Sequence, residues 1–266
     1  METIIIGGDA RFEHLARLLS ERGESVGVYG REAGPWADAV DRDALGRAKT
    51  IVVNCPPRAK LSLKELLGFV PGGARVICCG PGHPDITDAR LTDLWSDEAL
   101  LLENARLTAE GALASAMRAS NRALAGMDCM VVGWGRIGRS LTELLVALGA
   151  RVKVASRTAS GRNRAVERGA EAADTARIAD ALPGRKLVFN TAPAMVLDAA
   201  ALEHMDPDAM LLDLASPPYG IDLRAAWSRG LRAWREPGLP GRYCPQSAAA
   251  AILKAMDRQA RGEGAI

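Results

Sequence analysis

Gly133-Trp134-Gly135-Arg136-Ile137-Gly138 stands where an apolar run, "CMVV", gives way to "RSLTELLVALG", a stretch with helical periodicity. Backbone N–H groups at such a turn, with the positive end of the helix behind them, attract an anion, and this glycine spacing suits a pyrophosphate. Gly133 would permit the tight turn, Gly135 would let phosphates approach the backbone, and Gly138 would let helix and strand pack closely. Arg136 and Ile137 would add N–H groups of the first helical turn. The run "RVKVA" that follows completes a strand–helix–strand unit. The expected chemistry is that of a bound nicotinamide dinucleotide, which is hydride transfer.

The end of that second run decides which dinucleotide. An acidic residue about 20 positions beyond the glycines selects NAD by accepting from the ribose hydroxyls. Here the chain reads Ser156-Arg157-Thr158, with Arg162 close behind. Two hydroxyls and a planar guanidinium suit a 2′-phosphate. NADP is therefore the expected cofactor, with NAD as the alternative. Two later apolar runs end in Asn190-Thr191-Ala192-Pro193 and in Asp213-Leu214-Ala215-Ser216-Pro217-Pro218. In open parallel sheets ligands lie outside the carboxyl ends of strands. The first loop is assigned to the nicotinamide side of the cofactor and Ser216 to the substrate.

An acidic substrate needs cations and hydroxyl donors. Arg11, just after Gly7-Gly8, is the first choice. Arg242 in "PGLPGRY" and Arg106 are further choices, and Ser247 follows Pro245 at a helix start. The base that takes a proton is Glu110 in "TAEGAL" or His83 in "GPGHPD". His14 and His204 fall on helical stretches and read as structural, and Cys244 as a spectator. No metal-ligand spacing and no Ser-His-Asp pattern occurs.

The elements that must hold these residues alternate between strand-like and helix-like. Short apolar runs at 3–7, 25–29, 50–53 and 74–79 are separated by helical stretches, of which 10–22 carries Phe12, Leu15, Leu18 and Leu19 on one face. An Ala-rich helix at 108–125, with Thr108 as its N-cap, interrupts the rhythm. The rhythm then restarts at 128–133 and continues through strands near 151–155, 186–190, 209–214 and 231–234. The expected fold class is α/β: two Rossmann-like parallel-sheet domains joined by a linker helix, with the C-terminal helix returning to the first domain. The expected domains are 1–105 with the helix 245–262, a linker helix 106–126, and an NADP-binding domain 127–244.

Composition removes other classes. Hydrophobic residues are 48% of the 266, enough for a buried core. A net charge of +2 with mixed signs gives no reason to expect nucleic acid or a membrane surface. The five cysteines show no C-x-x-C spacing, which suits a reducing cytoplasm. "METIIIGGDAR" lacks the shape of a signal peptide, and no stretch approaches 18 apolar residues.

A set of motifs in order carries a resemblance over most of the chain. They are "IIGGDAR", "TAEGAL", "VVGWGRIGRSL", "ALGARVKVASR", "FNTAPAMVL", "LLDLASPPYGID" and "EPGLPGRYCPQSAA". Together they resemble the A-type family of dipicolinate synthase subunits, the dehydrogenase-like ones of spore-forming bacteria. The resemblance implies a cytoplasmic sporulation enzyme that oxidises a dihydrodipicolinate-type ring to dipicolinate. It also implies a second, flavoprotein-like partner, the B-type component of dipicolinate synthase, and it leaves self-association into a homo-oligomer open. Two loops depart from the family pattern. Pro217-Pro218-Tyr219-Gly220 replaces an expected basic, glycine-rich turn, and "NCPPRAKLS" at 54–62 differs from the expected serine- and glycine-bearing loop. The residues alone also suit another two-domain NADP oxidoreductase, shikimate-dehydrogenase-like or hydroxyacid-reductase-like, or a non-catalytic nucleotide-binding subunit.

Overall fold

The computed structural model describes residues 2–54, 62–80 and 88–262. The chain divides into two compact units, Met1–Asn104 with Pro240–Ile266, and Ala105–Leu239. In the first unit β1 (Thr3–Ile6) leads to α1 (Ala10–Glu21), β2 (Val26–Tyr29), β3 (Asp38–Ala39) and β4 (Thr50–Asn54). Then come α2 (Leu63–Phe69), β5 (Arg75–Cys79), β6 (Leu91–Asp93) and the start of α3 (Glu98–Ser120). The strands pair in the order β3-β2-β1-β4-β5-β6, every pair parallel. All four residues of β1 are buried, so an unbroken apolar run rather than alternation marks it.

The chain passes to the second unit within α3. There β7 (Asp128–Val132), α4 (Arg136–Ala147), β8 (Arg151–Ala155), α5 (Ala159–Glu167) and β9 (Glu171–Ala173) follow in turn. The remainder is α6 (Ile178–Ala181), β10 (Leu187–Asn190), α7 (Ala199–Leu202), β11 (Met210–Asp213), α8 (Leu223–Ser228) and β12 (Arg232–Arg235). This sheet is also parallel throughout, in the order β12-β11-β10-β7-β8-β9. Both sheets thus have a first strand flanked by the second and the fourth. The winding direction reverses there, and the gap that opens at the carboxyl ends is where such sheets take ligands.

Finally α9 (Leu239–Tyr243) and α10 (Pro245–Ala260) return the chain to the first unit. Phe12, Leu15 and Leu19 of α1 and Ile252, Leu253 and Met256 of α10 belong to one buried cluster. Full burial of such a side chain stabilises by roughly 1.5–3 kcal/mol. Ion pairs fix the helix further. Arg22 donates two 2.8 Å hydrogen bonds to Asp257, and Arg258 donates two 2.8 Å bonds to the buried Asp97. Asp97 also accepts from the N–H of Leu100 at 2.8 Å and so caps α3.

That cap corrects one expectation. The helix starts at Glu98, not near Thr108, and Thr108 lies buried within it. Glu110 accordingly sits in the middle of the helix rather than in its first turn. Between β9 and β10 the chain forms a 3-10 turn, Thr175–Arg177, followed by the short α6. Among the described residues no helix is long and apolar enough to cross a membrane, and no His/Cys/Asp/Glu group is arranged to hold a metal.

Candidate functional site

The glycine turn lies at the carboxyl end of β7, beside β10, at the reversal point of the second sheet. Its three glycines answer to different constraints. Gly133 has φ +104°, which only glycine adopts without strain, and a β-carbon there would fall 2.5 Å from Thr191 Oγ1. A β-carbon on Gly138 would fall 2.2 Å from the carbonyl oxygen of Gly133. Gly135 is different, because a β-carbon there would meet nothing within 4 Å. Internal packing therefore explains the first and third glycines but not the second. Open space beside bare backbone is what an approaching pyrophosphate requires.

Gly135 is also the N-cap of α4 and supplies no side-chain cap, so the orphan N–H groups of the first turn keep their anion-binding character. No acidic residue occupies that turn, and Arg136 opens it. An arginine there opposes the helix dipole and complements a bound anion. The residues present thus fit a dinucleotide.

At the end of β8, Ser156 is buried, and its Oγ lies where a β-carbon on Gly161 would come within 2.4 Å. Its hydroxyl is turned onto the start of α5. Thr158 caps that helix by accepting from the N–H of Gly161 at 3.1 Å. Arg162 donates to the carbonyl of Ser156 at 2.8 Å and pairs with Asp174 at 2.8 Å. These three residues shape the loop. Arg157 is exposed, and among the described residues its guanidinium has no ion-pair partner.

The loops after β10 and β11 form one buried network. Asn190 Nδ2 donates to Asp213 Oδ1 at 2.7 Å and to the carbonyl of Ala192 at 3.0 Å. Asp213 Oδ1 accepts from the N–H of Ala215, and Oδ2 from those of Gly220 and Ile221, at 3.1–3.3 Å. Thr191 Oγ1 donates to the carbonyl of Val132 at 2.9 Å. Asn190 and Asp213 thus fix the loops from beneath, with the Asn190 side chain turned inward. Ala192 and Pro193 continue the loop, and Ser216 is exposed. Glu110, half-buried on α3, forms an ion pair with Arg106 one turn before it.

In the first unit Asp9 caps α1 and receives two 2.8 Å bonds from Arg11, whose side chain is 15% exposed. A β-carbon on Gly241 would fall 2.6 Å from Asp9 Oδ2. This contact accounts for two of the sequence motifs at once: "GGDAR" and "PGLPG" pack against each other. Arg242 and Ser247 are exposed, Arg242 on α9 and Ser247 in the first turn of α10.

A family model described as the NAD binding domain of D-isomer specific 2-hydroxyacid dehydrogenases matches residues 100–217. The A-type dipicolinate synthase subunit of Bacillus subtilis (strain 168) is 30% identical over 289 aligned positions, covering 97% of this chain and 95% of the relative. The chain belongs to this A-type dipicolinate synthase family. The crystal structure of the corresponding dipicolinate synthase subunit from Bacillus halodurans superposes with a TM-score of 0.81 at 26% identity, covering 97% of each chain. That of the Bacillus subtilis protein gives 0.80 at 24% identity, over 99% of this chain and 96% of that one, and supports the fold. As a member of this family the chain is a dehydrogenase-type protein whose glycine-rich domain is of the NAD(P)-binding kind.

Against that family background, the glycines, Arg157 and the Asn190–Pro193 loop all lie at the carboxyl end of one sheet. His83 lies outside the described residues, as does most of the 54–62 loop. The structure also reveals what the sequence does not signal. Asp213 reads in the sequence only as the first residue of a loop, yet its carboxylate accepts four hydrogen bonds within the fold. Arg235, at the end of β12, lies 3.8 Å over the ring of Tyr219. No short motif marks a pair sixteen positions apart. Burial pushes the Cys129 thiol up to about 12, which leaves it unreactive.

Proposed function

We propose that this chain uses NADP⁺ to oxidise a dihydrodipicolinate-type ring to dipicolinate, as the dehydrogenase component of a dipicolinate synthase. One observation carries the proposal. In a chain that matches the A-type protein of Bacillus subtilis nearly end to end, the middle glycine of the turn is free of any packing role and lies at a helix N-terminus. The N–H groups of Gly135, Arg136, Ile137 and Gly138 hold the pyrophosphate. Arg157 faces the 2′-phosphate, while Ser156 and Thr158 hold its loop in shape. Thr191, Ala192 and Pro193, braced by Asn190, border the nicotinamide. The bound dinucleotide supplies the hydride acceptor.

The chain's own groups do the remaining work. Arg11, Arg242 and Ser247, together with Ser216, bind the carboxylates of the substrate. Asp9 pre-orients Arg11 by holding one edge of its guanidinium, Nε and Nη2, with two parallel hydrogen bonds. Glu110 or His83 takes the proton that leaves as the ring becomes aromatic. A second, flavoprotein-like subunit is the proposed partner, and the cytoplasm the proposed compartment.

A spectrophotometric assay tests the reading. Purified protein is given freshly generated dihydrodipicolinate precursor with NADP⁺ or NAD⁺, with and without the flavoprotein-like partner. Reduced nicotinamide should appear with NADP⁺ in preference to NAD⁺, with dipicolinate formed in equal amount. No turnover under any combination would refute the reading.

A further inference from the structure

Arg235 and Tyr219 play no part in the site described so far. Tyr219 follows Pro217-Pro218 in the turn after β11 and has φ +69°, a left-handed conformation uncommon for a bulky residue. Its N–H donates to the carbonyl of Ser216 at 3.0 Å, which closes the turn. This backbone sets the phenol ring under the guanidinium of Arg235, 3.8 Å from the ring centroid. Arg235 is exposed, and among the described residues no carboxylate pairs with it. Stacking on an aromatic face occupies the flat side of a guanidinium and leaves its edge of N–H donors free. That edge is the part that recognises a carboxylate with two parallel hydrogen bonds.

Position adds a second argument. Arg235 is the last residue of β12 and Tyr219 follows the end of β11, so both stand at the carboxyl edge of the sheet, as the glycine turn does. Arg157 stands at the same edge, four strand spacings away along β12-β11-β10-β7-β8, roughly 19 Å. The glycine turn after β7 lies between these two cations, one strand from Arg157 and three from Arg235. A dinucleotide whose phosphates sit on the turn and whose 2′-phosphate meets Arg157 runs its reactive end toward β10 to β12.

We propose that Arg235, held by Tyr219, is a carboxylate subsite of the second unit. It binds one carboxylate of the ring dicarboxylate, and Tyr219 is its positioning residue. This inference rests on the proposed substrate class, and the test keeps the two apart.

Full-length protein saturated with NADP⁺ is titrated calorimetrically with pyridine-2,6-dicarboxylate and with pyridine-2-carboxylate. Wild type should prefer the dicarboxylate. Arg235→Ala should weaken the dicarboxylate by about 10- to 100-fold, the loss expected for a charge-assisted contact, and remove the preference. Its melting temperature and NADPH affinity should not change. Arg235→Lys should fall between. Tyr219→Phe, which keeps the ring, should bind like wild type, and Tyr219→Ala should lose part of the affinity. Adding Tyr219→Ala to Arg235→Ala should cost nothing more, because the ring acts through the arginine. Unchanged dicarboxylate affinity in Arg235→Ala, an additive double variant, or an equal loss of NADPH would overturn the proposal. A wild type that binds the dicarboxylate yet oxidises no dihydro ring retains the subsite and removes the functional reading. A wild type that binds neither carboxylate overturns both.

Discussion

Replacing Arg157 by Ala separates the two nicotinamide dinucleotides. The guanidinium is exposed and, among the described residues, makes no ion pair, so its removal should leave folding stability within about 0.5 kcal/mol. Its neighbours cannot take over. Ser156 has its hydroxyl turned onto Gly161, Thr158 caps α5, and Arg162 is tied to Asp174. The 2′-phosphate therefore loses its arginine outright. A hydrogen bond to a charged group contributes about 1.5–3 kcal/mol, with the lower half expected at an exposed loop where water screens the pair. At about 1.4 kcal/mol per factor of ten, NADPH affinity should fall roughly 10- to 40-fold. NADH has no phosphate at that position and should bind as before. The assay is a fluorescence titration of both reduced dinucleotides on wild type and variant. Equal losses for the two, or an unchanged NADPH affinity, would refute the assignment of Arg157.

Other expectations come from the same geometry. Gly135→Ala should keep the melting temperature and lose dinucleotide affinity, since the new methyl enters open space beside the turn. Gly138→Ala, with its methyl against the Gly133 carbonyl, should lower stability by roughly 1–3 kcal/mol, and the opposite order in melting curves would contradict this division. Arg11→Ala should raise KM for the substrate and spare NADPH binding, so a normal KM in steady-state kinetics would remove Arg11 from the site. The Arg258 guanidinium holds the Asp97 carboxyl below its ordinary value. With the folded pKa below the unfolded one, near 3.9, this contribution is complete above about pH 5, shrinks as pH falls past the unfolded value and is lost as it falls through the lowered one. Asp97→Asn should flatten the acid limb of a stability–pH curve. At neutral pH it should cost toward the lower end of the roughly 3–5 kcal/mol for breaking a buried pair, and an acid limb as steep as that of wild type would count against it.

The sequence is informative wherever hydrophobic burial repeats along the chain. Strands such as "TIII" and "CMVV" are covered on both faces, and unbroken apolar runs are readable without a structure. The strands it does not mark, β3, β6 and β9, lie outermost in their sheets, have two or three residues each and are not fully buried. Few apolar side chains are needed there, so the pattern is faint. The start of α3 is hidden in the sequence because the alanines after Thr108 dominate the helical signal. The true cap, Asp97, gains much of its stabilisation from Arg258, 161 positions away. Polar residues at strand ends are the least legible. Asn190 and Asp213 have the types and positions of ligand-binding groups, and only the fold shows their side chains bonded to each other. Arg235 stands unmarked because its partner Tyr219 belongs to a different strand end.

A crystal structure with NADP⁺ and dipicolinate bound tests the central claim most directly. The pyrophosphate should lie on the N-terminus of α4 over Gly135, the 2′-phosphate against Arg157, and the dicarboxylate should be held by arginines that include Arg11. A dinucleotide bound instead at the Gly7-Gly8 turn of the first unit, or one whose 2′-phosphate makes no contact with Arg157, would contradict it.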